Sequence, residues 1–188
     1  MDRVQEAFDA VPREGFLPER ERSRAAYDGP IEIGHGQTNS QPRTVADMLR
    51  LLGPRPGDRV LDVGSGSGWT TALLAHLVGP EGSVLGVELE PALVEVGSAN
   101  LAATRQSWAR IEQAEEGVLG WPRQAPYDRI LVSAEIDVLP QDLVEQLAQP
   151  GRMVIPVGGR MLVVDRPAEP GAGVRTSEHG YYRFVPLR

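Results

Sequence analysis

From Arg59 onward the chain alternates short apolar runs with helical stretches, and that alternation leaves few folds open to it. Arg59 to Val63 (RVLDV), Ser83 to Glu88 (SVLGVE), Ala109 to Gln113, Arg129 to Ser133 (RILVS) and Arg152 to Val157 (RMVIPV) read as strands. Thr70 to Val78, Pro91 to Ala103 and Gln141 to Leu147 read as helices, the first stopped by Gly79-Pro80. Strands separated by helices of this length form right-handed βαβ units and a mostly parallel sheet. Met161 to Val164 and Arg183 to Leu187 are expected as late strands, with the Pro/Gly-rich Pro167 to Gly173 as the loop between them. The expected class is α/β, a Rossmann-like sheet flanked by helices.

Ahead of the sheet, Val4, Ala7, Phe8 and Val11 form a short helical stripe that Pro12 interrupts, and Thr44 to Leu52 returns to helical periodicity before Gly53-Pro54. Between them, Arg13 to Pro42 is irregular but not of low complexity, so it reads as an ordered arm. A chain of 188 residues suits one domain, with residues 1–53 as N-terminal arm and helix and 54–188 as the Rossmann-like core. Zero cysteines exclude disulfides, thiolate zinc sites and a cysteine nucleophile. A net charge of -7 with no Lys/Arg block argues against a nucleic-acid or anionic-membrane surface. No apolar stretch approaches membrane-spanning length, and the first residues lack a signal core. A soluble cytoplasmic monomer is the expectation.

Gly64-Ser65-Gly66-Ser67-Gly68 follows a strand and opens a helix, where a doubly wound fold binds its nucleotide. A dinucleotide fingerprint needs glycine at position 69, and Trp69 stands there. The spacing is G-x-G-x-G instead, preceded by Asp62. Glu88 ends the next strand, placed as an acid that accepts hydrogen bonds from ribose hydroxyls. Turn and acid together indicate an adenosine ligand, with NAD the weaker choice. Trp69, Trp108 and Trp121 read as packing residues; Trp69 could equally border the ligand. No metal site suggests itself, since Glu115-Glu116 are adjacent acids without a partnering histidine.

The glycine spacing resembles the first motif of class I S-adenosylmethionine methyltransferases, and other segments narrow the resemblance. Val11-Pro12-Arg13-Glu14-Gly15-Phe16 and Ile33 to Pro42 (IGHGQTNSQP) resemble the N-terminal motifs of protein-L-isoaspartate O-methyltransferases. So do Gly120-Trp121-Pro122, Ala125 to Asp128, Arg152 to Gly158 and Arg183 to Leu187, in that family's order along nearly the whole chain. The resemblance implies an S-adenosyl-L-methionine-dependent enzyme that methylates isoaspartyl carboxyls of damaged proteins or peptides. The ester then closes to succinimide and returns partly to aspartate. It also implies late strands in an unusual order within the sheet.

Carried over residue by residue, the resemblance places donor binding on Gln37, Thr38, Asn39, Ser40, Asp62, Gly64, Ser65, Gly66, Ser67, Gly68, Glu88, Leu89, Glu116, Gly117 and Ser133. It places the acceptor beside Ser40, Glu135 and Val185, with Ser40 as the active-site serine and Glu116-Gly117 beside adenine. Several positions depart from the family's pattern. Asn39 stands for an aliphatic residue, Glu115 for glycine, Glu116 for aspartate and Glu135 for alanine, and most of the family's N-terminal helix is missing. A carboxylate at Glu135 would disfavour an anionic acceptor unless it is paired or points away. Two alternatives therefore stay open: a paralogue with another peptide or small-molecule acceptor, and a module that binds the donor without turnover.

The chemistry asks little of the side chains. A carboxylate acceptor, with a pKa of about 4, is already ionised at neutral pH and needs no general base. Ser40 can orient it by donating a hydrogen bond, or can serve merely as a turn serine before Gln41-Pro42. His35, His76 and His179 read as structural or solvated.

Overall fold

The structure, a computed structural model, describes residues 2–187. Seven strands form one sheet: β3 (Arg59–Val63), β4 (Ser83–Glu88), β5 (Ala109–Gln113), β6 (Tyr127–Val132), β7 (Leu147–Val157), β8 (Arg160–Arg166) and β9 (Arg175–Tyr181). Their spatial order is β5-β4-β3-β6-β7-β8-β9. The five strands from β5 to β7 are parallel, and β8 and β9 follow in chain order as an antiparallel meander. Because β4 and β6 lie on opposite sides of β3, chain order reverses beside β3, and a crevice opens at the strands' C-terminal ends.

The central strands β3, β4 and β6 are buried on both faces over most of their length and are mainly apolar there, whereas the edge strand β5 buries only Ile111. Period-two alternation sends Val60, Val84, Leu131 and Val154 to one core and Leu61, Leu85, Ile130, Val132 and Met153 to the other. On the first face lie α1 (Arg3–Ala10), α2 (Pro42–Leu52) and α3 (Trp69–Val78). In α3 every residue but His76 is buried, which suits its nearly unbroken apolar sequence. α4 (Pro91–Ala103) packs beside β4 and β5, and the short α5 (Gln141–Glu145) beside β7.

The arm carries regular elements that its irregular pattern does not mark. It contains 3-10 turns at Arg13–Phe16 and Glu19–Arg24, then a hairpin of β1 (Ile31–Gly34) and β2 (Gln37–Asn39). His35 and Gly36 make its two-residue turn with φ of 55° and 71°, the left-handed pair that matches strand twist. The expected last strand is corrected: Arg183 to Leu187 crosses the end of the sheet and makes one isolated bridge, Glu135 with Pro186. The edge beside β8 is already taken by β9, and Pro186 has no N–H for a ladder. His179 lies in β9, exposed.

Candidate functional site

The glycine turn hangs from the neighbouring strand. Backbone N–H groups of Gly64 and Ser65 both donate to the Val87 carbonyl, at 2.9 and 3.1 Å. Gly64, Gly66 and Gly68 all have positive φ, and a Cβ on Gly68 would stand 2.9 Å from the Gly97 carbonyl of α4. Only glycine meets both demands at position 68. The buried Glu88 carboxylate clamps the turn from below, accepting from the Gly66 N–H at 2.9 Å and the Glu90 N–H at 3.0 Å. Two of its roughly four lone-pair positions remain for a ligand.

The β1–β2 hairpin packs over this turn, with Ile33 against Gly66. Together they wall a cleft of about 1140 Å³, counting its open mouth. Gln37, Thr38, Asn39 and Ser40 line one side, and Gly64, Ser65, Gly66, Ser67, Glu88 and Leu89 the other. Val118, Leu119 and Gly120, with Ser133, Ala134 and Val185 to Leu187, complete its lining. At the mouth, His35 Nδ1 lies 3.5 Å from a Glu90 oxygen. The Ser65 hydroxyl is buried in this lining without a hydrogen-bond partner.

With that geometry in view, the likeness to known proteins decides the family. The family model described as protein-L-isoaspartate(D-aspartate) O-methyltransferase matches residues 1–188. The chain belongs to this family. A protein-L-isoaspartate O-methyltransferase of Methanothrix thermoacetophila is 50% identical over 189 residues, covering 99% of this chain and 88% of the relative. That of Methanopyrus kandleri is 46% identical over 190 residues, covering 99% and 83%. Among solved structures, one protein-L-isoaspartate O-methyltransferase superposes with a TM-score of 0.88 at 25% identity, over all of this chain and 62% of its own. A Plasmodium falciparum beta-aspartate methyltransferase, solved with S-adenosyl-L-homocysteine, gives 0.85 at 26% identity, over 100% and 91%. The α/β sheet is that of the isoaspartate methyltransferases.

Not every residue carried over from the isoaspartate methyltransferases reaches the cleft. Asp62 stays beneath it, fully buried, with one oxygen accepting from the Thr70 and Thr71 hydroxyls at 2.9 and 2.7 Å. Burial pushes its carboxyl up to about 6 despite those bonds, and its second oxygen has no partner. Gly68 faces α4 rather than the cleft. Glu116 and Gly117 are displaced by a turn in which the Val118 N–H donates to the Glu115 carbonyl; Glu115 lines the cleft, and Glu116 is exposed.

Glu135 is turned away as well. Its backbone exchanges bonds with Val185 and Leu187 at 2.8 and 2.7 Å, and its carboxylate accepts from the Phe184 N–H at 3.4 Å. It fastens the C-terminal segment instead of facing an acceptor. Trp69 does both things considered for it: its indole donates to the Val11 carbonyl at 3.0 Å, and its ring borders the cleft. The apolar end formed by Val118 and Leu119 went unread, although two apolar residues between Gly117 and Gly120 were a signal for it.

Proposed function

We propose that this chain is an S-adenosyl-L-methionine-dependent carboxyl O-methyltransferase acting on L-isoaspartyl residues of proteins or peptides. One observation carries the proposal: a single cleft is lined both by the glycine turn with Glu88 and by the Gln37–Ser40 segment. The residues fit the donor. Glu88 has acceptor capacity left for two hydroxyls, and Val118 with Leu119 offers an apolar surface for a flat ring. Gly64 to Ser67, Glu88, Leu89 and Ser133 would hold it, while Asp62 supports the turn from beneath.

The donor supplies a methyl group on a sulfonium, activated for displacement. What this chain's residues contribute is alignment and exclusion of water. The acceptor carboxylate is ionised at neutral pH, so no side chain need take a proton. Ser40 donates a hydrogen bond that orients it, and Val185 with Pro186 and Leu187 shields the far side. Glu135 turns its carboxylate to the Phe184 N–H and does not line the cleft, so it would not contact an acceptor bound there.

We read residues 1–53 and 54–188 as one methyltransferase unit, because both contribute walls to the cleft. No helix among the described residues is long and apolar enough to cross a membrane. The net charge of -7 weighs against nucleic-acid partners and favours a monomer, and a cytoplasmic location is the reading that the cysteine-free sequence fits. The deciding assay is transfer of labelled methyl from S-adenosylmethionine to an isoaspartyl peptide, with its aspartyl twin as control. Labelling of the isoaspartyl peptide alone is expected; donor binding with neither peptide labelled would overturn the assignment.

A further inference from the structure

Behind the acceptor wall lies a buried cation. Arg13 is 5% exposed, and its guanidinium stacks 5.5 Å from the centre of the Trp69 ring. It donates to five oxygens, none of them a carboxylate: the Asn39 side chain at 2.7 Å and the carbonyls of Tyr27, Gly29, Asn39 and Ser40 at 2.8 to 3.0 Å. Burial draws its pKa down to about 10, which still leaves it charged at neutral pH. The arm's path from Tyr27 to Ser40 is thus gathered on one side chain.

The network continues across the cleft. Asn39, itself 5% exposed, donates from its amide nitrogen to the Ser67 hydroxyl at 3.2 Å. Arginine has no acceptor, so the Asn39 oxygen must face Arg13 and its nitrogen must face Ser67. Ser67 accepts, which leaves its own proton free to point elsewhere, and Ser67 lines the donor side. Asn100 holds the Ser67 carbonyl from α4 at 3.0 Å. Among the described residues, Asn39 to Ser67 is the one side-chain hydrogen bond joining the β1–β2 hairpin to the glycine turn.

We propose that Arg13 and Asn39 are positioning residues that couple the two binding events, so that a donor seated against Ser67 tightens the acceptor's hold at Ser40. The coupling rests on the function proposed above. A ligand that fixes Ser67 fixes the Asn39 amide, and Arg13 bonds both that amide and the Ser40 carbonyl. Whatever affinity the donor adds for the acceptor, the acceptor must add for the donor. A purely structural clip would hold the arm in place equally with and without donor.

The test is titration calorimetry of an isoaspartyl peptide against the full chain, alone and saturated with S-adenosylhomocysteine, which cannot react. For wild type, about tenfold tighter peptide binding is expected with the nucleoside present, within the usual range for coupled sites. Asn39→Leu keeps the branched shape and cuts both side-chain bonds; the enhancement should fall to about twofold or less. Ser67→Ala cuts the link from the other end without touching Arg13 and should do the same, which keeps the test open if the first variant does not fold. If wild type methylates the peptide yet binds it equally in both states, or if both variants keep the full enhancement, the coupling is refuted and the activity stands. Absence of any methyl transfer by wild type would remove the activity and the coupling together.

Discussion

Along the donor wall, Gly64 and Ser65 hang from the Val87 carbonyl, and Glu88 ties Gly66 to Glu90. Along the acceptor wall, Thr38 and Asn39 pair only with β1, Arg13 bonds the Asn39 and Ser40 carbonyls, and Val185 and Leu187 are fastened to the Glu135 backbone. The first wall hangs directly from a strand of the parallel sheet, whereas the second stands outside that sheet, on a two-strand hairpin pinned by the Arg13 side chain and on a tail fastened mainly to the Glu135 backbone. A backbone-built wall tolerates change anywhere except at its glycines and its one clamping acid. A wall built outside the sheet hangs on few contacts, the Arg13 set foremost, and is correspondingly easy to break.

The largest expected effect breaks the second wall. Arg13→Met would leave four backbone carbonyls and the Asn39 side chain without their donor. Each buried group left unpaired costs about 1–3 kcal/mol, so even with water reaching some of them the loss should be about 3 kcal/mol or more. Urea unfolding would measure it. A loss under about 1 kcal/mol would mean that the arm is held by its apolar contacts and that the contrast between walls is misdrawn.

Beneath the donor wall, Asp62 gives a pH signature. Its carboxyl titrates near 6 in the folded chain, above the ordinary 3.8, so between those values the folded chain holds a proton that the unfolded chain has lost. Wild type should therefore lose stability as pH rises from 4 through 6, by up to about 3 kcal/mol from this group. Asp62→Asn cannot ionise and lacks that component. The stability difference, variant minus wild type, should move in the variant's favour over the same window and then level off. The exposed Asp2 and Asp28, both lowered by their partners, slope the other way but equally in both proteins. Parallel pH curves would show that Asp62 is not a cost borne by the turn.

Glu88→Ala sharpens the comparison from the ligand's side. Removing an acid that holds two backbone N–H groups and retains room for ribose hydroxyls should weaken S-adenosylhomocysteine binding by roughly 1.5–3 kcal/mol. Peptide affinity measured without the nucleoside should change little, because the Gln37–Ser40 wall does not lean on Glu88. Equal losses for both ligands would mean that the walls are not separately built.

The same contrast explains which parts could be read in advance. The glycine turn is a local demand of strand, turn and helix, and it is visible at Gly64, Gly66 and Gly68 because side chains rarely adopt those φ values. The apolar strands β3, β4 and β6 announce themselves by composition. β9 does not: Arg-Thr-Ser-Glu-His-Gly-Tyr is polar and exposed along its whole length, so no alternation marks it. Arg183 to Leu187 alternates like a strand, yet the edge it would need is occupied. Arg13 was legible only as part of a motif, since cations at 5% exposure are rare and their acceptors here lie 14 to 27 residues away. Glu115 and Glu116 are both exposed, and only the fold shows that Glu115 contributes to the cleft lining while its carboxylate pairs with Arg123.

A crystal structure of the chain with S-adenosylhomocysteine and an isoaspartyl peptide is the most direct measurement of a cleft whose two walls serve two ligands. We expect the nucleoside against Gly64 to Ser67 and Glu88, and the peptide carboxylate at Ser40 with the backbone alongside Val185. The sulfur should face the carboxylate across the gap between the walls, and Glu135 should still be turned to the Phe184 N–H. A peptide bound outside the cleft, or a nucleoside seated without contact to the glycine turn, would contradict this arrangement.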